Sequence, residues 1–221
     1  MRTSTTTMFR RFLPAILLAA SLTAEPLLAE ERPEAPSPAP ILSVGDRAPA
    51  FFLNAVNPDV VGQRRIVLED FYRDEDTKAV IISFFATWCA PCKKELPLLQ
   101  VLWERYRDDG LRIVVISIDR EPEAVAGLNG FIEDLGVRYP VVSDRFAFLA
   151  RRYLGPTSAL PSIFITDGNG VLQTIKQGYG DDAEAFLEAE VRRVMGLGAE
   201  DEVTAAPPAE DEETEAPPAE E

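Results

Sequence analysis

The sequence predicts a mixed α/β fold built around one main domain. Short apolar segments typical of buried strands alternate with longer segments of helical periodicity. Near the end of this pattern, two strand-like segments flank a Gly-rich turn and are followed by a last helix. Hydrophobic residues make up 46% of the 221 residues, which is enough for a full core. Alternation of this kind is typical of an α/β domain.

Residues 1–29 have the pattern of an export signal. Two arginines precede an apolar run over residues 13–22, which has about the length of a signal-peptide hydrophobic region. Met8 offers an alternative start, and cleavage is expected after Ala29. Leu27 is large for the third position before such a cut, so an uncleaved N-terminal anchor stays open as the alternative. Either outcome predicts a periplasmic or other extracytoplasmic location.

Three further segments follow the signal. Residues 30–40 form a Pro-rich linker, which is semi-rigid and cannot build a core. Residues 41–198 are expected to form the folded domain. Residues 199–221 form an acidic tail that is expected to be disordered because it has little apolar surface to bury.

The charge of the chain is concentrated in this tail. The net charge is −15, and residues 200–221 hold ten acidic and no basic residues. The remaining domain is mildly acidic and has no basic patch for nucleic acid. The chain has no histidine, which excludes His-based general base catalysis and most transition-metal sites. We therefore expect no cofactor and no metal.

The first half of the domain is expected to contain a hairpin and the central strand. Residues 51–56 and 66–68 are predicted to pair, and residues 68–71 lead onward. Residues 79–85 are apolar and rich in β-branched and aromatic side chains, so they are predicted to form a buried strand.

The second half continues the strand and helix alternation. After the helix that follows the central strand, residues 111–118 are predicted to be a second buried strand of the parallel type. The other expected elements are a helix at 121–135, a strand at 139–142, a helix at 145–153, a hairpin of 162–166 with 171–176, and an amphipathic helix at 181–196.

The only two cysteines of the chain directly follow the predicted central strand. Cys89 and Cys92 are separated by two residues, and helical periodicity begins just after them. A thiol at a helix N-terminus meets unpaired N–H groups and the positive end of the helix dipole, which stabilise the thiolate. Because the thiolate is the form that attacks disulfides, this position favours a redox-active pair.

Four other interpretations of the pair stay open from the residues alone. A structural disulfide is one, although closing a loop of four residues stabilises by only about 2 kcal/mol. Zinc prefers about four ligands, and two cysteines without histidine do not supply them. A haem attachment site needs histidine after the second cysteine, where this chain has Lys93. Two inert core cysteines are the fourth, but Pro91 and Lys93 suit an exposed helix start better.

The segment Trp88-Cys89-Ala90-Pro91-Cys92 resembles the active site of the thioredoxin superfamily. Residues 87–97 resemble its TlpA/ResA-type branch more closely, and the resemblance extends from about residue 44 to residue 195. That branch contains membrane-tethered or periplasmic thiol-disulfide oxidoreductases, several of which serve cytochrome c maturation. The resemblance implies a thioredoxin-like fold with an N-terminal β-hairpin and a central αβ insertion.

The same resemblance implies a function and its partners. We expect a monomeric oxidoreductase that reduces cysteine-containing client proteins such as apocytochrome c and receives electrons from a membrane donor. Residues 44–51 also resemble the start of peroxiredoxins, so a peroxide reductase is an alternative, although the P-x-x-x-T-x-x-C motif is missing. A non-catalytic binding module is the other alternative.

The positions of the cysteines suggest their roles. Cys89 is the first thiol of the helix and is predicted to be the nucleophile that a partner can reach. Cys92 is predicted to be the resolving thiol that attacks the mixed disulfide. Pro91 limits the freedom of the intervening dipeptide, and Trp88 is expected to shield one side of the Cys89 sulfur.

A carboxylate is expected close to the pair. Glu95 lies three residues after Cys92, about one helical turn along, so it can face the two thiols. In the TlpA/ResA-type branch a glutamate at this spacing tunes cysteine reactivity; a solvated glutamate paired with lysine is the alternative. Thioredoxin has a buried aspartate where this chain has Ser83, so a proton-handling carboxylate must come from elsewhere.

A second loop is expected beside the cysteines. Pro161 precedes a predicted strand, and it matches the cis-proline that the family packs against its cysteine pair. An ordinary trans proline at a strand start is the alternative. In the family the preceding residue, here Leu160, offers backbone groups to the bound partner. Leucine departs from the threonine or valine of the family, which places partner specificity in question.

Overall fold

A computed structural model describes residues 41–156 and 159–198. The predicted export signal and Pro-rich linker, at residues 1–40, and the acidic tail at 199–221 lie outside the described residues. Within the described ranges, no helix combines the length and the apolar character that crossing a membrane requires.

The described residues form seven strands and six helices. In chain order they are β1 (Phe52–Asn54), α1 (Pro58–Val61), β2 (Arg65–Val67), α2 (Leu68–Arg73), β3 (Ala79–Phe85), α3 (Ala90–Tyr106), β4 (Leu111–Ser117), α4 (Pro122–Asp134), β5 (Val141–Ser143), α5 (Phe148–Leu154), β6 (Ser162–Asp167), β7 (Leu172–Gln177) and α6 (Ala183–Met195).

The main sheet has five strands in the order β5-β4-β3-β6-β7, with β3 at its centre. All seven residues of β3 are buried, which explains why its sequence is apolar at every position except Ser83 instead of alternating. β3 pairs in parallel with β4 and antiparallel with β6. The predicted α/β class and thioredoxin-like order are confirmed, with α4 and β5 as the central insertion.

Helices cover both faces of this sheet because side chains alternate along each strand. Ser83 and Phe85 point to one face, where they contact Glu95 of α3 and Phe131 of α4. Phe84 points to the opposite face, where its ring lies 5.2 Å from that of Tyr153 in α5. The core therefore has two apolar layers, one on each side of the sheet.

The predicted N-terminal hairpin is present as the small antiparallel sheet of β1 and β2. The buried side chain of Asn57 connects it to the main sheet: its amide donates to the carbonyl of Tyr139 at 2.9 Å and accepts from the N–H of Val141 at 3.1 Å. A bridge between Ala55 and Val142 adds to this connection. The hairpin is thus attached beside β5, at the edge of the main sheet.

Two short helices of this region were not predicted. α1 fills the connection of the hairpin; Pro58 starts it and Gly62, in the left-handed conformation with φ 70°, ends it. α2 includes residues 68–71, which the sequence analysis interpreted as a plain connection. Helices of four and six residues are too short to show a helical period in the sequence.

The C-terminal elements follow the prediction. β6 and β7 are antiparallel and are joined by the expected turn, which Gly170 closes by donating to the carbonyl of Asp167 at 3.0 Å. Gly170 has φ 81°, a conformation that glycine adopts without strain. The ends of the observed elements differ from the predicted ends by up to three residues.

Candidate active site

Cys89 lies at the junction of β3 and α3, where it is the N-cap of the helix. Its sulfur accepts a hydrogen bond from the backbone N–H of Cys92 at 3.3 Å, so it occupies the place of a capping oxygen. Pro91 stands in the first turn, where its missing N–H leaves no helical bond unmade. The two sulfurs are joined in a disulfide. This structure is therefore the oxidised form of the pair.

The surroundings of the pair are more exposed than the cysteines themselves. Trp88 has 69% of its surface exposed, and Pro91 and Lys93 are also at the surface. Cys89 is only 5% exposed and Cys92 only 1%. The sequence analysis expected a thiol that partners can reach. Cys89 is the less buried of the two, but its exposed neighbours form most of the surface that a partner would meet.

Glu95 is buried behind the cysteine pair and is not the solvated glutamate that the alternative interpretation required. It is 2% exposed, and it accepts a hydrogen bond from the hydroxyl of Ser83 at 2.7 Å. Burial raises the pKa of Glu95 to about 7, although the Ser83 bond and the positive charge of Lys176 act in the opposite direction. A carboxyl group with this pKa can release and take up a proton near neutral pH.

Two further groups border Glu95. The hydroxyl of Tyr139 donates to the carbonyl of Leu96 at 3.0 Å, and burial followed by the Glu95 charge raises the pKa of Tyr139 well above its ordinary value. Lys176 on β7 is in register with Ser83 through β6, so both side chains point to the α3 face of the sheet. The environment of Glu95 thus combines three elements of the fold.

The peptide bond between Leu160 and Pro161 is cis, as the sequence analysis expected, and Pro161 is buried. β6 begins at the next residue, Ser162, which pairs with Phe84 near the end of β3. The loop therefore lies at the same edge of the sheet as the disulfide. Within residues 41–156 and 159–198, no backbone hydrogen bond uses the N–H or carbonyl of Leu160. These groups are free to pair with an extended chain.

Asp119 also reaches this edge, and the sequence analysis did not identify it. It follows β4 by two residues and is 1% exposed. Its carboxylate accepts from the Thr87 N–H at 3.0 Å and from the Thr87 hydroxyl at 2.8 Å. The hydroxyl of Ser117 also donates to it at 2.8 Å. An aspartate two residues after a strand has no distinct sequence signal, because many such residues are simply solvated.

An apolar groove of about 820 Å³ opens between the N-terminal hairpin and α5. Ser143 lines it and is in register with Phe85 through Ser117, so the groove begins two strands away from the end of β3. Phe146 and Phe148 at its rim are largely exposed. Exposed aromatic side chains of this kind are typical of surfaces that contact other proteins.

Similarity to known proteins agrees with this geometry. Residues 44–175 match the AhpC/TSA family. The thiol-disulfide oxidoreductase ResA of Oceanobacillus iheyensis is 34% identical over 139 residues, which is 62% of this chain and 67% of the relative. ResA of Geobacillus kaustophilus is 32% identical over 151 residues, which is 67% of this chain and 78% of the relative.

Solved structures share the fold. A thioredoxin-family thiol:disulfide interchange protein from Chlorobium tepidum TLS has a TM-score of 0.56 at 22% identity, covering 70% of this chain and 99% of that one. The ResA similarity includes the segment that carries the cysteine pair. The chain therefore belongs to the AhpC/TSA family as a TlpA/ResA-type thioredoxin-like protein, and it is a protein thiol-disulfide oxidoreductase.

Proposed function

We propose that this protein works outside the cytoplasm as a reductant of disulfides in cysteine-containing client proteins, with apocytochrome c as a representative client. One observation carries this proposal: the capped cysteine pair lies at the same sheet edge as Leu160, whose backbone forms no backbone hydrogen bond within the part of the chain that the structure describes. This edge offers a redox group and a docking strand together, which suits a polypeptide client better than a small oxidant.

Cys89 is assigned the role of nucleophile. Its thiolate attacks one sulfur of the client disulfide, forms a mixed disulfide and releases the other client sulfur as a thiolate. The capping N–H of Cys92 and the N-terminus of α3 stabilise the Cys89 thiolate before the attack. Trp88 and Pro91 border the sulfur, Trp88 as exposed contact surface and Pro91 as a rigid link to Cys92.

Cys92 is assigned the role of resolving thiol. It loses its proton and attacks the Cys89 sulfur of the mixed disulfide, which releases the second client sulfur and forms the Cys89–Cys92 disulfide seen in the structure. Two electrons have then passed to the client. A membrane donor must return two electrons and two protons to the pair, because the periplasm is kept oxidising.

Glu95 is assigned the role of proton acceptor for Cys92. It lies one helical turn from Cys92 and has a pKa near 7, so it is partly ionised when the thiol must be deprotonated. Ser83 holds the carboxyl group in place through the 2.7 Å hydrogen bond. Leu160 and Pro161 are assigned to client binding, with the Leu160 backbone pairing with the client chain and its side chain influencing the choice of client.

Export and oligomeric state belong to the same proposal. The signal-like pattern of residues 1–29 supports transport to the periplasm, where a ResA-type reductant meets proteins whose cysteines have been oxidised. We propose that the protein acts as a monomer, because a single chain supplies both cysteines and the Leu160 loop. Its client and its electron donor then use the same edge of the sheet in turn.

The trapping experiment tests this proposal. Cys92→Ser keeps the size and polarity of residue 92 but cannot resolve the mixed disulfide. Expressed with its signal, this variant should accumulate covalent adducts with clients that dithiothreitol releases. Cys89→Ser is the matched control and should accumulate few adducts. Equal trapping by both variants would mean that the roles of the cysteines are misassigned.

The same experiment separates the competing functions. Adducts with cytochrome apoproteins support the client assignment, and adducts with a membrane protein identify the donor. If neither variant traps a protein and the wild-type protein instead consumes peroxide, the protein is a peroxide reductase. If no adducts form and no peroxide is consumed, the disulfide does not serve catalysis.

A further inference from the structure

The turn before the disulfide is fixed by hydrogen bonds to a buried carboxylate, that of Asp119. The N–H of Cys89 donates to the carbonyl of Ala86 at 3.0 Å, which closes the turn that presents the sulfur. Thr87, inside this turn, donates both its N–H and its hydroxyl to Asp119. The position of Cys89 relative to the sheet therefore depends on Asp119 at the end of β4.

The charge of this carboxylate is balanced by hydrogen bonds alone. Ser117 provides the third donor, at 2.8 Å, and its oxygen also accepts from the N–H of Asp119. Among the described residues, no ion pair includes Asp119. Two of its three donors belong to Thr87, the second residue before Cys89. A negative charge is thus hydrogen-bonded to the turn that presents the sulfur.

A neighbouring aspartate shows what a purely structural arrangement looks like in this fold. Asp144 follows β5 as Asp119 follows β4, and it is buried to a similar extent. It accepts from the N–H groups of Phe148 and Ala150 at the start of α5, so the helix terminus balances its charge. Asp119 meets no helix start in this way, since α4 begins at Pro122 and the Asp119 oxygens bind the cysteine turn instead.

We propose that Asp119 is a positioning residue of the redox site that also keeps the cysteine pair reducing. Its hydrogen bonds to Thr87 set the turn that carries Cys89, and its buried charge makes the Cys89 thiolate less stable than it would be above a neutral side chain. A less stable thiolate disfavours the reduced form, which makes the pair a stronger electron donor. This inference rests on the proposed reductant function and specifies how the fold sets its direction.

Other charged groups near the turn act together with Asp119. Lys93 and Glu95 project from α3, and Arg120 follows Asp119 at the surface. None of them changes when Asp119 is replaced, so their contribution is constant in a comparison of variants. Coulomb's law for two unit charges about 7–10 Å apart, with an effective dielectric constant between about 20 and 80, gives roughly twofold to fiftyfold on the stability of the thiolate.

The test is the equilibrium between the purified protein and glutathione at pH 9, above the free cysteine pKa of about 8.5, so that a change in the stability of the thiolate shifts the equilibrium. Two reduced glutathiones convert the protein disulfide to the dithiol and form one glutathione disulfide, and alkylation followed by mass measurement gives the ratio of the two protein forms. Asp119→Asn keeps the shape of the side chain and removes its charge. We expect it to shift the equilibrium at least twofold towards the dithiol. Asp119→Ser, a second neutral variant, should shift it in the same direction.

Asp144→Asn is the matched control. It should lower the melting temperature, because it weakens the start of α5, but it should leave the glutathione equilibrium within twofold of wild type. The proposal is overturned if the folded neutral variants at 119 stay within twofold of wild type or shift towards the disulfide. It is also overturned if neither neutral variant folds, because Asp119 is then a structural residue.

The control protein separates this inference from the function on which it rests. A wild-type protein that exchanges with glutathione retains the oxidoreductase function even if Asp119 has no effect. A wild-type protein whose disulfide does not exchange with glutathione at all overturns both proposals.

Discussion

Glu95 shows most directly how one residue can couple folding to chemistry. A carboxyl group that is 2% exposed has exchanged nearly all of its hydration for a single hydrogen bond from Ser83. Burial makes ionisation costly, and this cost appears as the raised pKa. We therefore expect Glu95 to make both the stability of the protein and its rate of disulfide exchange depend on pH.

The raised pKa of Glu95 lowers the stability of the folded protein as the pH rises. The pKa of Glu95 rises from an ordinary 4.5 to about 7 in the folded protein. Below pH 4.5 the carboxyl group is protonated in both the folded and the unfolded protein, so its ionisation does not reduce the free energy of unfolding. As the pH rises from 4.5 to 7, Glu95 ionises in the unfolded chain before it ionises in the folded protein. The free energy of unfolding therefore falls by on the order of 3 kcal/mol.

Glu95→Gln removes this loss because glutamine does not ionise. We expect the free energy of unfolding of the variant to exceed that of wild type by an amount that grows between pH 4.5 and 7 and is constant above. Urea unfolding at a series of pH values measures it. Glu104→Gln, an exposed change on the same helix, is the control and should show no such growth. A difference that does not vary with pH would contradict the assigned burial effect.

The effect of Glu95 on the reaction rate concerns the step in which Cys92 resolves the mixed disulfide. If Glu95 accepts the proton of Cys92, the rate at which the mixed disulfide resolves should rise with pH through about 7 in wild type. In Glu95→Gln this rise near pH 7 should disappear, and the rate at pH 8 should fall about tenfold or more, as is typical when a proton acceptor is lost. Stopped-flow measurement with a model peptide disulfide tests this. Profiles that superimpose on wild type would remove Glu95 from the mechanism.

At the scale of elements, the attachment of the N-terminal hairpin depends on one buried amide. The side chain of Asn57 forms hydrogen bonds with the carbonyl of Tyr139 and the N–H of Val141. It thereby pairs two backbone groups that a further strand would otherwise have to pair. The apolar groove lies between this hairpin and α5. Loosening the attachment should therefore alter the groove as well as the stability.

Asn57→Ala should lower the free energy of unfolding by about 2–3 kcal/mol, because it leaves a buried carbonyl and a buried N–H without partners. Hydrogen exchange should accelerate at the β1 and β2 amides before it does in β3. Asn54→Ala, an exposed change on β1, should stay within about 0.5 kcal/mol of wild type. Equal losses in the two variants would show that the Asn57 hydrogen bonds do not hold the hairpin.

Among the elements, those with a long or strongly marked pattern were predictable. β3 was evident because six of its seven successive residues are apolar, and such a run can be buried on both faces only in a central strand. α1 and α2 were not evident, because their few residues complete no helical period. Asn57, which directly precedes α1, gave no signal because a buried asparagine and a loop asparagine look the same in a sequence.

At the scale of the whole molecule, most of the net negative charge lies in the sequence of the tail and not in that of the domain. Ten acidic residues lie within 200–221, a segment with very few apolar side chains. Such a composition offers little surface to bury, so we predict that its removal does not affect the stability of the domain.

Truncation after residue 199 should leave the melting temperature within about 1 °C of the full chain, below the change of roughly 2–4 °C that 1 kcal/mol produces in a domain of this size. The rate of glutathione exchange should also be unchanged. Thermal unfolding of the two proteins at the same ionic strength measures the first quantity. A drop of several degrees would show that the tail packs against the domain.

The sequence by itself determined the fold class, the central strand, the cysteine pair at a helix start and the position of the proline loop. Each of these follows from local chemistry: apolar runs specify buried strands, a Cys-x-x-Cys before a helical period specifies a capped thiol, and proline before a strand limits pairing. The assignment of Glu95 rested on its spacing from Cys92 along one helix together with the resemblance to the TlpA/ResA-type branch.

Tertiary structure alone decided the surroundings of these residues. Asp119 and Thr87 are 32 positions apart and meet because parallel strands bring their carboxyl ends to one edge of the sheet. The burial of Glu95 depends on Ser83 across from α3, and its pKa depends on that burial. Local patterns record what each segment can form, whereas solvent exclusion and charge depend on which distant segments pack together, and only the folded chain specifies that.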